Sequence, residues 1–232
     1  MTTTTDVSTL IQAADHFLLG RRNDTYDLAH LSSLMASIRS AEYFSTHMRR
    51  ARMFQNKFDL LAHAMSIRPS EGHVMEFGVG SGQTINHIAS LTNGKVQGFD
   101  VFSGLPEDWR PGYPRGSFSG MPSFLRENVE LVAGLFEDTV PAFMQSVASV
   151  SLMHVDCDLY SSTRTLLKAA AAKLRPGSVL VFDEYLNYPG WEQDEFRAFK
   201  EFCAAFTVTY RYEGLVTSHQ QVCVVIEAIG QS

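Results

Sequence analysis

The sequence predicts an α/β protein in which helices cover both faces of a mainly parallel sheet. From about residue 72 onward, short apolar runs alternate with segments of helical periodicity, and this alternation is typical of parallel strands joined by helical crossovers. Several of the apolar runs end in glycine or in an acidic residue, as strands do where they lead into a ligand site. The length of 232 residues and the hydrophobic fraction of 45% suit one domain of this kind.

The first 70 residues are predicted to form a helical N-terminal extension, and residues 71–232 the core domain. Apolar residues at helical spacing indicate a first helix, which contains Leu10, Ile11, Ala14, Phe17 and Leu18. A second helix is predicted over 41–65, and Pro69 closes the segment. The extension is interpreted either as an ordinary packing or dimer face, or as a lid over a pocket.

The core is predicted to contain seven strands, over 73–77, 96–99, 129–133, 150–155, 178–182, 207–216 and 221–229. Helices are predicted between them over 84–91, 163–174 and 196–206. Ligands of such sheets bind at the carboxyl ends of the strands, where the strand order switches. The residues that directly follow each strand are therefore the candidates for function.

Composition excludes several classes of protein. The formal net charge of −6 argues against a nucleic-acid partner and against an anionic membrane surface. We expect neither a secretory signal nor a transmembrane helix, because no apolar run is long enough. The three cysteines are widely spaced, which predicts reduced thiols and a cytoplasmic protein.

A homodimer is expected only from the frequency of dimers among enzymes.

A glycine-rich turn over 76–82 follows the first core strand and opens a helix. Glycines allow a sharp turn, and the free N–H groups of the new helix can meet an anionic ligand. Dinucleotide-binding folds place a third glycine where Gln83 stands here. The pattern acidic-x-Gly-x-Gly-x-Gly instead resembles motif I of class I S-adenosylmethionine-dependent methyltransferases. Asp100, at the end of the second strand, could accept hydrogen bonds from ribose hydroxyls of either cofactor.

The connection over 103–122 contains four of the eight prolines and the aromatic residues Trp109, Tyr113 and Phe118. Long connections in compact domains are usually functional or disordered. We interpret this loop as a cover for substrate or cofactor, in preference to a passive surface loop. Arg110 and Arg115 could hold an anionic group of a substrate, although solvated charges are the ordinary interpretation.

Acidic residues follow two strands that are expected to be neighbours. Asp156 and Asp158 follow the fourth core strand, and Asp183 and Glu184 follow the fifth. Four carboxylates in a small region repel one another unless a cation compensates, and their hard oxygen atoms suit Mg²⁺ or Ca²⁺. The alternative is that one or two of them cap the following helices or hydrogen-bond a cofactor, with Asp158 the best placed for capping.

His219 lies in the connection between the last two predicted strands. If the sixth strand runs parallel to the others, this connection also lies at the functional edge of the sheet. His219 could then act as a catalytic base. The alternative interpretation is a surface histidine.

Five ordered segments of the core resemble the macrocin and mycinamicin sugar O-methyltransferases: EFGVGSGQT, GFDVFSGLPEDW, LFEDTVP, HVDCDLYSST and VLVFDEY. The resemblance covers about residues 72–200. It implies a Rossmann-like class I methyltransferase fold, with a seven-stranded sheet in the order 3-2-1-4-5-7-6. It also implies S-adenosylmethionine and a divalent cation, typically Mg²⁺, as cofactors. The implied reaction is methyl transfer to a hydroxyl, often on a sugar of a secondary metabolite.

The resemblance also implies site residues by position. The cofactor-binding set comprises Glu76, Gly78 and Ser81 near the methionine part, Thr84 in the helix that follows, Asp100 at the ribose, and Val101, Phe102, Leu135 and Phe136 around ribose and adenine. The implied metal ligands are Asp156, Asp183 and Glu184, with Asp158 as a further ligand or as the base. Together with His219, which is a candidate from its position and not from the resemblance, Asp156 and Asp158 make up the predicted catalytic residues. The family more often has Asp-Asp where this chain has Asp183-Glu184. Catechol-type relatives have a lysine base where Leu159 stands here.

Two other functions stay open at this level. The first is an NAD-dependent oxidoreductase, since the glycine turn and Asp100 suit either cofactor. The second is a non-catalytic protein that binds S-adenosylmethionine. The acceptor is not determined, because substrate choice is expected to depend on the first 70 residues and on the 103–122 loop, where the resemblance is weakest.

Overall fold

The structure is a computed structural model and describes residues 20–22 and 25–230. The predicted helix with Leu10 and Phe17 lies outside these residues. Within them the strands are β1 (Arg21–Arg22), β2 (Thr25–Tyr26), β3 (Arg52–Phe54), β4 (His73–Phe77), β5 (Val96–Asp100), β6 (Val129–Ala133), β7 (Val150–Val155), β8 (Val179–Phe182), β9 (Thr209–Val216) and β10 (Val222–Ala228).

The α-helices in the described part of the chain are α1 (Leu28–His47), α2 (Lys57–Ile67), α3 (Gln83–Ser90), α4 (Phe136–Ser146), α5 (Tyr160–Ala170) and α6 (Glu195–Ala205). Short 3₁₀ turns occupy Ala171–Lys173 and Trp191–Gln193. None of the helices in the described ranges is both long and apolar enough to cross a bilayer.

The predicted strand order is confirmed. β4 to β10 lie in the order β6-β5-β4-β7-β8-β10-β9, which is 3-2-1-4-5-7-6 when the core strands are numbered along the chain. β10 runs antiparallel to both β8 and β9, so β9 is parallel to the other core strands. The carboxyl end of β9 therefore lies at the same edge of the sheet as those of β4, β5, β7 and β8.

The sheet has an eighth strand that the sequence did not predict, and the continuous helix predicted over 41–65 is wrong. α1 ends at His47, and β3 then pairs in parallel with β9 at the sheet edge before α2 begins. Gly214 on β9 makes this pairing feasible, since a Cβ atom there would lie 2.7 Å from Cε2 of Phe54. The apolar residues on both sides of the break keep a helical spacing, and this concealed the strand from periodicity alone.

Helix α4 was also missed in the sequence, because Pro141 lies inside it. Proline removes one backbone donor, which leaves the carbonyl of Glu137 without its helical partner. Both residues are exposed, so water can satisfy that carbonyl. Burial of Val140 and Met144 against the sheet then stabilises the helix.

The two faces of the sheet bury separate apolar clusters, as expected for strands covered on both sides. One cluster takes alternate residues of the central strands, namely Met75, Phe77, Met153, Val155, Leu180 and Phe182. The other takes the residues between them, namely Val74, Leu152, Val179 and Val181. Because both faces are packed, the strands can end together at one edge with little freedom to shift.

At that edge, the first residue after β4 needs to be glycine. Gly78 has φ +90°, and its N–H donates to the carbonyl of Phe99 at 2.9 Å. A Cβ atom on Gly78 would lie 1.7 Å from the carbonyl oxygen of Asp156. The turn after β4 and the acidic loop after β7 are thus in backbone contact.

We predict that Gly78→Ala destabilises the protein by roughly 3 kcal/mol or more, because overpacking against backbone adds to the cost of a positive φ. Gly80→Ala is the matched control, since Gly80 also has a positive φ but a Cβ atom there would have no described atom within 4 Å. It should cost about 1–2 kcal/mol. Urea unfolding of the two variants measures this difference, and equal losses would contradict the role given to the Asp156 carbonyl.

Candidate active site

A cavity of about 380 Å³ opens at the carboxyl edge of the sheet. Most residues predicted for the site line it: Gly78, Ser81, Thr84, Asp100, Val101, Leu135, Phe136, Asp156, Asp158, Asp183 and Glu184. They come from the segments after β4, β5, β6, β7 and β8, which are distant in the sequence. The structure therefore brings the glycine turn and the acidic cluster into one cavity.

The glycine turn is fixed by Asp100. One carboxylate oxygen of Asp100 accepts the N–H groups of Val79 (2.8 Å) and Gly80 (2.9 Å), and the other accepts that of Phe102 (2.7 Å). Each carboxylate oxygen has further acceptor capacity. Asp100 can thus hold the turn and still accept a hydrogen bond from a ligand hydroxyl.

Three predicted site residues do not line the cavity. Glu76 is fully buried below the turn, Phe102 packs on an apolar cluster, and His219 is exposed. The connection with His219 does lie at the functional edge, as the parallel β9 requires. Among the described contacts, His219 is linked to the acidic cluster through Gln221, whose Nε2 lies 2.8 Å from Nδ1 of His219 and 3.0 Å from Oδ2 of Asp183.

A buried histidine links the first strand to the acidic cluster. Nδ1 of His154 lies 2.9 Å from Oε2 of Glu76, and its Nε2 lies 3.6 Å from Oδ1 of Asp183. Burial alone would lower the pKa of His154, but these two carboxylates raise it to about 10. His154 is therefore an imidazolium that joins β4, β7 and the end of β8. Thr84 donates to the second oxygen of Glu76 at 3.0 Å.

The four predicted carboxylates converge in two overlapping groups. Oxygen atoms of Asp156, Asp158 and Glu184 lie within 4.8 Å of one another and could hold a cation. Atoms of His154, Asp156 and Asp183 are equally close, but His154 as an imidazolium has no lone pair to offer a cation. Burial, followed by the charge of Asp183, raises the pKa values of Asp156 and Glu184 well above their usual range. Asp156 belongs to both groups.

The residues present fit a hard divalent cation. Oε2 of Glu184 is buried and accepts no hydrogen bond from the residues that the structure describes. Oδ1 of Asp183 is likewise buried without a hydrogen bond from a described residue, with Nε2 of His154 3.6 Å away, whereas Lys57 and Gln221 contact its Oδ2. A buried acceptor without a donor beside other carboxylates is the environment that a cation with oxygen ligands would complete.

The capping alternative for Asp158 finds no support in the described contacts. Helix α5 begins at Tyr160 without a side-chain hydrogen bond at its N-terminus. Asp158 has φ +62°, a conformation that turns this buried residue toward the other acids. Burial raises the pKa of Asp158 to about 7, although the charge of Arg110 opposes this shift.

Lys57 is a cavity residue that the sequence did not identify. It is the first residue of α2, and its Nζ lies 3.5 Å from Oδ2 of Asp183. Its side chain also lines the cavity next to Asp156 and Glu184. The predicted helix over 41–65 concealed this position, because only the break at β3 directs the start of α2 toward the site.

Glu195 is a second residue that the sequence did not identify. It is fully buried at the start of α6, where its Oε1 accepts the N–H of Cys157 (3.4 Å) and its Oε2 that of Glu184 (3.1 Å). One carboxylate thus holds both acidic loops by their backbones. Burial, followed by the charges of Asp158 and Asp156, raises the pKa of Glu195 well above its usual range, and the hydrogen bond from the N–H of Glu184 opposes this shift.

The 103–122 loop forms one wall of the cavity. Nε1 of Trp109 donates to Oδ2 of Asp194 at 3.2 Å, and Tyr188 donates to the same oxygen at 3.0 Å. The guanidinium of Arg110 lies over the rings of Trp109 (3.9 Å) and Tyr188 (4.7 Å). The loop is therefore anchored to the segment before α6, and it presents aromatic faces and one cation to the cavity.

Comparisons with known proteins agree with this geometry. The family model of the macrocin O-methyltransferases, named TylF, matches residues 115–209. The solved structure of the O-methyltransferase NovP superposes with a TM-score of 0.59 at 20% identity, over 74% of this chain and 80% of that one. The calicheamicin methyltransferase CalS11 superposes with a TM-score of 0.57 at 20% identity, over 97% of this chain and 87% of that one.

The apo form of CalS11, described as a TDP-rhamnose 3′-O-methyltransferase, has a TM-score of 0.50 at 20% identity, over 97% of this chain and 88% of that one. The comparison with curated proteins finds no match. These findings confirm the predicted resemblance to the macrocin O-methyltransferases and the Rossmann-like fold class. They also confirm the prediction of an enzyme of the S-adenosylmethionine-dependent methyltransferase type.

We predict that the metal-free protein loses stability relative to Asp158→Asn as the pH rises. The pKa of Asp158 is about 7 in the folded protein and near 3.9 in the unfolded chain. The folded state therefore disfavours the ionised carboxylate, and the free energy of unfolding falls as the pH rises between those two values. The difference in the free energy of unfolding between Asp158→Asn and the parent protein should grow by about 2–3 kcal/mol between pH 5 and pH 8. Urea unfolding in chelator at both pH values measures it, and a pH-independent gap would contradict the prediction.

Proposed function

We propose that this S-adenosylmethionine-dependent methyltransferase transfers its methyl group to a hydroxyl of a small molecule, a sugar or a related secondary metabolite, with the help of a divalent cation. One observation carries the proposal. The cavity that starts at the glycine turn ends at Asp156, Asp158 and Glu184, whose oxygen atoms lie within 4.8 Å of one another. Cofactor and acceptor can thus meet in one cavity beside an acidic cluster.

The glycine turn and Asp100 would bind the cofactor. The turn leads into α3 with Gly82 at its start, and the N–H groups at the start of this helix would face the carboxylate end of the methionine part. Asp100 would accept hydrogen bonds from the ribose, and Leu135 and Phe136 line the cavity where an adenine would lie. Such fixed contacts would orient the cofactor for transfer at the acidic end of the cavity.

Asp156, Asp183 and Glu184 would hold the cation, with Asp158 beside them. A bound Mg²⁺ would polarise the acceptor hydroxyl and lower its pKa. Glu195 would keep the two acidic loops in place through their N–H groups. His154 would offset part of the negative charge below them.

Asp158 is the residue best placed to accept the proton of the acceptor hydroxyl. It lines the cavity, whereas His219 is exposed and is not part of the lining. Glu195 holds the neighbouring N–H of Cys157, which fixes the backbone of the loop that carries Asp158. A positioned carboxylate of this kind contributes to general base catalysis.

A sugar acceptor is supported by the family model and by the wall of the cavity. The matched family is that of the macrocin O-methyltransferases, and the fold neighbour CalS11 is described as acting on TDP-rhamnose. In this chain, Trp109 and Tyr113 line the cavity, and the guanidinium of Arg110 lies over both rings. Flat apolar faces next to charged groups suit a polyhydroxylated ring.

Residues 1–70 would act as an extension of the 71–232 core that contributes to acceptor binding, since Lys57 reaches the cavity from this segment. A cytoplasmic location and a homodimer remain predictions. The described residues contain three free cysteines.

We expect methyl transfer to a sugar acceptor to stop in chelator and to return when Mg²⁺ is added. Asp156→Ala should lower kcat by roughly 100-fold or more, because electrostatic stabilisation is lost. The affinity for S-adenosylhomocysteine should change by less than about threefold, since the glycine turn is intact. Product mass spectrometry and calorimetry measure the two effects.

Asp138→Ala is the matched control, because Asp138 is an exposed acid on α4 and its loss should leave both quantities unchanged. Full activity in chelator, together with unchanged Asp156→Ala and Asp183→Ala variants, would remove the metal from the proposal. Binding of NAD without binding of S-adenosylmethionine would favour the oxidoreductase alternative.

We also predict that Lys57→Met binds Mg²⁺ more tightly, by roughly threefold to tenfold, because an ammonium near Asp183 repels an incoming cation. Lys57→Arg should keep the affinity of the parent protein. Calorimetric titration of the cofactor-free protein with Mg²⁺ measures the change without any assay of activity. Weaker Mg²⁺ binding in Lys57→Met would show that Lys57 supports the acidic cluster instead.

A further inference from the structure

A second cavity, of about 400 Å³, lies between the end of α1, strand β9 and helix α6. We call it the basic cavity, and the residues that characterise its lining are Tyr43, Arg49, Arg50, Lys200, Arg211 and Tyr212. It shares no lining residue with the cavity at the carboxyl edge. Nothing in the proposed methyl transfer uses it.

The basic cavity carries an excess of positive charge. Four of its residues are arginine or lysine, and among the described contacts only Arg211 has a carboxylate partner, with its Nε 3.1 Å from Oε2 of Glu213. In the described part of the chain, no carboxylate forms an ion pair with Arg49, Arg50 or Lys200. A chain with a formal net charge of −6 thus concentrates cations at one concave site.

Four tyrosine hydroxyls meet at the wall of this cavity. The hydroxyl of Tyr212 lies 2.6 Å from that of Tyr43, 2.8 Å from that of Tyr185 and 3.2 Å from that of Tyr210. Lys200 donates to the hydroxyl of Tyr210 at 2.8 Å.

These contacts leave a donor without an acceptor. Three hydroxyl–hydroxyl bonds use three of the four hydroxyl protons, so one proton has no acceptor among the described residues. Burial raises the pKa values of Tyr43 and Tyr212, which keeps the hydroxyls protonated. The lysine and the arginines Arg49 and Arg50 add only donors. A ligand rich in anionic oxygens would therefore supply both the missing hydrogen-bond acceptors and the missing negative charge.

Size and charge narrow the class of ligand. A volume of about 400 Å³ is within the range of small-molecule sites and exceeds the need of one inorganic oxyanion. Three cations without carboxylate partners among the described residues suit a group with two or more negative charges, and the planar guanidinium groups of Arg49 and Arg50 match phosphate oxygens. We propose that the basic cavity binds a small molecule that carries a phosphate or diphosphate group.

The hydroxyl cluster connects this site to the loop that holds the acids. Tyr185 directly follows Glu184 in the sequence and is fully buried, and its hydroxyl contacts Tyr212. A ligand in the basic cavity would therefore contact a hydrogen-bond network that ends one residue from the acidic cluster. The binding proposal itself does not depend on methyl transfer.

Calorimetric titration of the full chain with inorganic pyrophosphate, without divalent cations, tests the proposal. We expect saturable binding that weakens at least about tenfold in the double variant Arg49→Ala/Arg50→Ala. Both arginines are exposed, so folding should be retained. Lys200→Gln is a second variant that should also weaken binding, because it removes the cation next to Tyr210.

The double variant Arg164→Ala/Lys168→Ala is the matched control. It removes the same charge from exposed positions on α5 and should leave the affinity unchanged. Lys57→Met should also leave it unchanged, because Lys57 lies in the other cavity. The proposal is overturned if binding is not saturable up to about 10 mM pyrophosphate, if the control loses as much affinity as the test variant, or if Lys57→Met abolishes binding.

Discussion

The arrangement of the candidate site depends on one buried charge interaction, the imidazolium of His154 between Glu76 and Asp183. Glu76 and His154 are partners in the register of β4 and β7, and Asp183 follows the strand that pairs with β7 on its other side. Removal of one member of such a buried set typically costs about 3–5 kcal/mol, because the remaining charge stays buried without compensation. Three of the five strands that supply the cavity, β4, β7 and β8, are thereby joined by the same charges that contribute to its electrostatics.

Buried or half-buried carboxylates also connect segments at two other points, where a carboxylate of one segment accepts backbone N–H groups of another. Asp100 does so for the glycine turn, and Glu195 for both acidic loops. Backbone donors position these loops without using the side chains of Asp156 and Glu184. Those side chains remain directed at the cavity, where burial and then the repulsion between neighbouring acids raise the pKa values of both.

The core could be predicted from the sequence because each of its strands is a short apolar run that ends in a turn signal. The bounds of β4, β6 and β7 agree with the prediction to the residue. β3 could not be found, since it has three residues and its pairing with β9 depends on Gly214, about 160 positions away. The partnership of His154 with Glu76 could have been inferred from the parallel register, because both residues precede a strand end by the same short distance. The presence of Lys57 in the cavity could not be inferred, because the direction in which α2 begins depends on β3.

The two cavities differ in which hydrogen-bonding groups have no partner among the described residues. Among the described residues, the cavity at the carboxyl edge has a buried acceptor at Glu184 without a donor, whereas the basic cavity has a hydroxyl proton and two arginines without an acceptor. The formal net charge of −6 is therefore a sum over sites of opposite character. It argues against a large anionic partner that would cover the whole surface, but it does not determine what a concave site binds. Local donor and acceptor counts bear on that, and they support the cation proposed for one cavity and the phosphorylated small molecule proposed for the other.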